Sequence, residues 1–102
     1  MYKLIINDWN LALHDFTSYL LKGLGDNLKM IIGLSEDTSV YDSNVLVVVR
    51  EINDEVRRIV ANAAIKTNEK HKCIISYYLT DNKGLVDEFK QVGGKEVLKM
   101  QR

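Results

Sequence analysis

Apolar positions in this chain follow two spacings, and the change from one to the other marks its elements. Trp9, Leu13, Phe16, Leu20 and Leu21 recur at helical spacing, which predicts a first helix capped by Asn7 or Asp8. Gly23 and Gly25 suit the left-handed end of that helix. Leu28–Ile32, interrupted only by Lys29, and Val45–Val49 are instead short, near-continuous apolar runs. Runs of that kind predict strands buried on both faces, as in a sheet covered by helices. Asn53 opens the clearest helix. Asp54 and Glu55 favour the positive end of its dipole, and Ile52, Val56, Ile59, Val60 and Ala63 form one apolar stripe.

The polar stretch Thr67–Lys72 predicts a loop, and Cys73–Leu79, rich in isoleucine and tyrosine, predicts a third strand. Asp81-Asn82-Lys83-Gly84 is a turn sequence. Leu85, Val86, Phe89 and Val92 fit a short helix stopped by Gly93-Gly94. Val97–Met100 fits a final strand or a half-turn, and Met1–Ile6 fits a short strand or a lead-in to the first helix. The order helix–strand–strand–helix–strand–helix predicts an α/β (α+β) domain, a small mixed sheet packed against helices.

Composition narrows the picture. With 102 residues, 46% of them hydrophobic, the chain suffices for one domain, residues 1–102, with a single modest core. Lys+Arg and Asp+Glu both number 14, so no global field favours nucleic acid or an anionic membrane. Arg57, Arg58 and the lysines are interleaved with acids, which argues against a basic nucleic-acid-binding stripe. Val45–Val49 is far too short to span a bilayer, and the opening MYKLIINDW lacks the pattern of a signal peptide. One cysteine, Cys73, cannot form an internal disulfide, which fits a cytoplasmic location.

Candidate chemistry gathers between Leu28 and Val49, in LKMIIGLSEDTSVYDSNVLVVV. An apolar run ends at Gly33, a polar loop follows, and Asp42-Ser43-Asn44 leads into the second run. Gly25-Asp26 stands before the first strand. The helix Asn53–Lys66, the strand Ile74–Leu79, and Phe89 with Val92 before Gly93-Gly94 follow in order. From about Leu13 to Leu98 this order resembles the minimal nucleotidyltransferase domains, small members of the DNA polymerase beta superfamily.

The resemblance implies attack on the α-phosphate of a nucleoside triphosphate, with two magnesium ions clamping the attacking and leaving oxygens. In that family a Gly-Ser turn takes the triphosphate, an Asp-x-Asp pair opens the second strand, and an adjacent strand supplies a third carboxylate. Residues i and i+2 of a strand face one side, so the paired carboxylates aim at one place. By this resemblance Gly33, Leu34 and Ser35 occupy the nucleotide-binding turn, and Asp42, Asn44 and Leu46 mark the catalytic and metal positions. The chain departs from the pattern at most of them. Leu34 replaces the turn serine, although Ser35 offers a hydroxyl one residue on. Asn44 is neutral, Leu46 cannot bind a metal, and Ile74–Leu79 contains Ser76, Tyr77 and Tyr78 but no acid. Asp42 and Asn44 remain as magnesium positions, with Asp37 and Glu36 nearby in the loop.

The leading expectation is therefore a degenerate, inactive nucleotidyltransferase-like domain that acts by binding a nucleotide or a protein partner. By resemblance a protein partner is a small helical protein, as in toxin–antitoxin pairs; if Met1–Ile6 adds to an exposed sheet edge, the partner is instead a second copy of the chain. Two alternatives stand beside it. One is an active magnesium-dependent enzyme transferring a nucleoside monophosphate through Asp42, Asn44 and a shifted loop. The other is an assembly module with no nucleotide role.

Other residues read more plainly. His71-x-Cys73 supplies two of the four ligands a structural zinc needs, so a loop histidine beside a packed strand thiol is expected. His14-Asp15 reads as a surface pair. Tyr77 and Tyr78 should point to opposite faces of their strand, and Arg57-Arg58 should be solvated. Trp9 anchors the first helix or sits at a dimer contact.

Overall fold

Two largely apolar runs lie side by side at the centre of the molecule, and everything else is arranged to cover them. The structure is a computed structural model that describes residues 8–35 and 37–100. Helix α1 (Asp8–Leu24) leads through a single 3-10 turn into strand β1 (Leu28–Gly33). Strand β2 (Val45–Val49), helix α2 (Asp54–Lys70), strand β3 (Tyr77–Thr80), helix α3 (Gly84–Gln91) and strand β4 (Lys95–Lys99) follow. The sheet has the order β3-β2-β1-β4. Strand β1 is antiparallel to both β2 and β4, while β2 and β3 are parallel and joined by the α2 crossover. The molecule is a single mixed α/β domain.

Alternation along β2 divides the core in two. Val45, Val47 and Val49 face α1 and α2, where they meet Phe16, Leu20 and Val60. Leu46 and Val48 face the other way, with Ile32, and are covered by Val86 and Phe89 of α3. All five β2 residues are buried, as their unbroken apolar character predicts. Removing each such side chain from water contributes about 1.5–3 kcal/mol. Helix α2 starts where its cap predicts, with the Asn53 side chain accepting from the Val56 N–H at 2.9 Å. Gly25 takes the left-handed conformation (φ 55°) that ends α1, whereas Gly23 remains within the helix.

Two elements differ from their sequence patterns, and a third resolves an open choice. Thr67–Lys72, expected as a loop, is mostly the last turn of α2, which runs to Lys70. Thr67 is fully buried and its hydroxyl donates to the Ala63 carbonyl at 2.8 Å. Asn68 is likewise turned onto backbone, accepting from the Ile75 N–H and donating to the Ile75 carbonyl. Polarity at these positions reflects hydrogen bonds to the chain, not solvation. The third strand starts at Tyr77 instead of Cys73, because side-chain amides take the place of a ladder just before it. The C-terminal segment is a true strand, β4, on the outer side of β1. Met1–Ile6 and Asn7 lie outside the described residues, as does Glu36. Among the described residues no helix is long and apolar enough to cross a membrane.

Candidate functional site

The connection from β1 to β2 carries the residues singled out for nucleotide and metal binding. At its start, the Leu34 N–H donates to the Asn44 carbonyl at 2.9 Å, extending the β1–β2 pairing by one step. The Leu34 carbonyl accepts from the Trp9 indole N–H at 2.8 Å, so Trp9 anchors α1 to this turn. A Cβ on Gly33 would lie 3.0 Å from Leu13 Cδ1 and 3.2 Å from Val97 Cγ2. Glycine here lets α1 and β4 close over the end of the strand. Gly33, Leu34 and Ser35 line a hollow of about 300 Å³, with Asn10 and Lys95 on its walls. The Ser35 hydroxyl is engaged locally, donating to Asp37 at 3.0 Å and lying 2.6 Å from the Thr38 hydroxyl.

Further along, Val40 and Ser43 exchange both backbone hydrogen bonds, at 2.8 and 2.9 Å, around Tyr41 and Asp42. Both central residues have positive φ, 53° and 60°. That is the mirror-image turn that suits a twisted hairpin, built without its usual Asn-Gly. The Asp42 residue is exposed and its main-chain carbonyl accepts from the Ser76 hydroxyl at 2.8 Å. The Tyr41 ring lies 5.8 Å from that of Tyr78, and the Glu88 carboxylate beside its hydroxyl pushes the Tyr41 pKa up.

Asn44 is buried and fully committed. Its amide nitrogen donates to the Ile74 carbonyl and its amide oxygen accepts from the Ser76 N–H, both at 2.9 Å. Its backbone N–H donates to the Ser76 carbonyl at 2.8 Å. The side chain thus behaves as a short piece of strand, holding β2 to the segment before β3. Leu46, two residues on, is fully buried beneath Val86 and Phe89. On β3, Tyr77 packs toward Phe16 (6.3 Å between rings) and Tyr78 faces Tyr41, on opposite sides as alternation predicts.

The donor set does not fit magnesium. That ion takes carboxylate, phosphate and water oxygens in near-octahedral geometry. At the implied positions the structure offers an amide already spent on backbone, a buried leucine and one loop carboxylate, Asp42. No three of the described His, Cys, Asp and Glu residues are placed to hold a metal ion.

A second polar cluster was not foreseen. His71 caps the C-terminus of α2, and its imidazole sits between two carboxylates of α1, 2.8 Å from Asp8 and 2.7 Å from Asp15. Only 9% of the His71 side chain is exposed, so it is not the loop histidine its polar surroundings suggest. Asp8 also accepts from the backbone N–H groups of Lys72 and Cys73, and Asp15 pairs with Lys70 at 3.3 Å. Asp15 and Asp8 together hold the His71 pKa above its usual value. The imidazole is the main reason that the Asp8 carboxyl is lowered to about 2 and the Asp15 carboxyl is also lowered. The carboxylates bind opposite ring nitrogens, so the three groups share no point where a cation could sit. The adjacent His14-Asp15 pair is a loose surface contact, 4.0 Å between Nδ1 and Oδ1 with His14 79% exposed, while the other Asp15 oxygen turns toward α2. The partners of His71 stand far away in the sequence, so no local motif announces them. Cys73 is buried beside this cluster.

No family model, no curated protein and no solved structure matches this chain.

Proposed function

We propose that this chain is a nucleotidyltransferase-like domain that no longer transfers nucleotides and acts through binding. Asn44 carries the reading. At the first of the two positions where transfer needs a carboxylate, the side chain must both donate to Ile74 and accept from Ser76. An amide does both; an ionised carboxylate accepts only, and would face the Ile74 carbonyl with like charge. The second position, Leu46, belongs to the core beneath α3. Both positions now serve packing, which supports loss of two-metal chemistry and not a displaced version of it.

The ligand we propose for the Gly33–Ser35 hollow is nucleotide-sized: about 300 Å³ is at the small end of ligand sites, and Lys95 on its wall supplies a positive charge. Exposed Leu11, Ile65 and Ile74 favour a second reading, contact with a protein partner. The test is calorimetric titration with ATP, GTP, CTP and UTP, with and without magnesium, alongside a pyrophosphate-release assay. The expected result is binding that survives chelation and no pyrophosphate release. Magnesium-dependent release from the unmodified chain would overturn the proposal, and absence of nucleotide binding would leave the protein-partner reading in its place.

A further inference from the structure

One end of the sheet gathers positive charge that is dispersed in the sequence. Strand β1 begins there, and β2 and β4, antiparallel to it, end there. Lys29 lies at a bulge between Leu28 and Met30, Arg50 directly follows β2, and Lys99 closes β4. Helix α3 crosses the same end and adds Lys83 at its N-terminal cap and Lys90 in its last turn. These five cations line a cleft of about 420 Å³ that has, among the described residues, one carboxylate, Asp87, on its wall. The whole chain carries no net charge, so this concentration arises from the fold alone.

Most of these cations have no acid paired with them, although Glu96 feels the charge of both Lys90 and Lys99. Lys90 has a partner, Glu96 at 2.7 Å, but among the described residues Lys29, Arg50, Lys83 and Lys99 make no salt bridge. Arg50 is oriented by its Nε–H, which donates to the Asp26 carbonyl at 3.0 Å, and among the described residues its guanidinium pairs with no carboxylate. Burial pushes the Lys29 pKa down, and the adjacent Lys83 ammonium and Arg50 push it the same way. Like charges held together in this way destabilise the unliganded fold unless an anion sits among them. The floor is different in character. Met30, Val48, Val86 and Met100 form it, and methionine adapts readily to flat or irregular apolar groups.

We propose that this cleft binds a small phosphorylated organic molecule, with its phosphate among Lys29, Lys83, Arg50 and Lys99 and its apolar body on the Met30–Val48–Val86 floor. The volume lies within the range of small-molecule sites. The cations surround one concavity instead of tracking across a surface, which fits one anionic head better than a polymer backbone. None of Gly33, Leu34, Ser35, Asp42, Asn44 or Leu46 lines the cleft, so the inference does not rest on the proposed loss of transfer.

The experiment is a calorimetric titration of the whole chain with naphthyl phosphate, inorganic phosphate, naphthol and a single-stranded RNA oligonucleotide, at low and at physiological salt. Naphthyl phosphate should bind more tightly than inorganic phosphate, and naphthol should not bind measurably. Lys29→Gln and Lys83→Gln should each weaken naphthyl phosphate about ten-fold, the loss of one charge-assisted contact. Lys22→Gln and Lys66→Gln, on the surface between α1 and α2, should leave binding unchanged. Lys83→Gln should also melt no lower than the parent, because it removes repulsion from Lys29; this separates a lost site from a lost fold. No binding of naphthyl phosphate, or binding indifferent to both cleft variants, overturns the proposal. Equal affinity for inorganic phosphate overturns the organic ligand, and preferential RNA binding weakened equally by all four variants overturns the small-molecule site.

Discussion

Tyr41 and Asp42 occupy a left-handed conformation that, among residues other than glycine, mainly asparagine and aspartate adopt, so the strain falls on the tyrosine. Two successive positive φ values in the turn between Val40 and Ser43 suit the hairpin's twist, but a left-handed tyrosine costs about 1–2 kcal/mol. The contact between Tyr41 and Tyr78 offsets part of that cost, by about 0.5–1.5 kcal/mol. Replacing the pair with Asn-Gly (Tyr41→Asn with Asp42→Gly) should therefore stabilise the fold by about 1 kcal/mol. Urea denaturation checks this: the midpoint should rise with the slope unchanged. A lower midpoint would mean that the ring contact outweighs the strain. The neighbouring Asn44 was legible as a departure from Asp-x-Asp, but its reason was not. Ile74 and Ser76, which select an amide there, are brought to it only by the parallel pairing of β2 with β3.

The junction of α1 with α2 sets the pH response expected of these elements. Asp8 lies in the first turn of α1 and His71 caps the end of α2, so each charge also suits the helix end it occupies. The raised His71 pKa makes its contribution complete below the ordinary value of 6.5 and lost as pH rises through the raised one. The lowered carboxyls act in the opposite sense. Their contribution is present above 3.8 and disappears on acidification, for Asp8 only as pH approaches about 2. Stability should thus be greatest from about pH 4 to 6.5 and decline on both sides. Denaturation at a series of pH values should show the alkaline decline in the parent and a weaker one in His71→Asn. The helices and central strands were legible because periodicity, caps and short apolar runs are local signals. The end of α2 was not, since Thr67 and Asn68 spend their polar groups on backbone that only the fold places beside them.

Across the whole molecule, the two faces of the sheet have different occupants. Helices α1 and α2 cover one, and α3 covers the part of the other that includes Leu46. Restoring a carboxylate at that position therefore collides with the core. Leu46→Asp should lower stability by roughly 3–5 kcal/mol, through lost burial and an uncompensated charge, and should yield no pyrophosphate release. Thermal melting and a release assay on the same preparation check both parts, and robust release would refute the structural role assigned to this residue. The cationic cleft lay beyond sequence reasoning for a geometric reason. Lys29, Arg50, Lys83 and Lys99 stand on separate elements among acids, and only the antiparallel placement of β1 against β2 and β4 brings them to one end.

The central place of β1 also has a consequence during synthesis. Its two partners arrive at very different times: β2 emerges soon after it, but Ile31 meets Leu98 only when nearly all of the domain has left the ribosome. Until then one flank of a strongly apolar strand presents unpaired backbone, the kind of edge that pairs with other chains. Of the described strands β4 is synthesised last, so its pairing with β1 is the last of the three strand pairings to become available. A growing chain halted before Lys95 is the species most exposed to aggregation, and to the chaperones that guard against it.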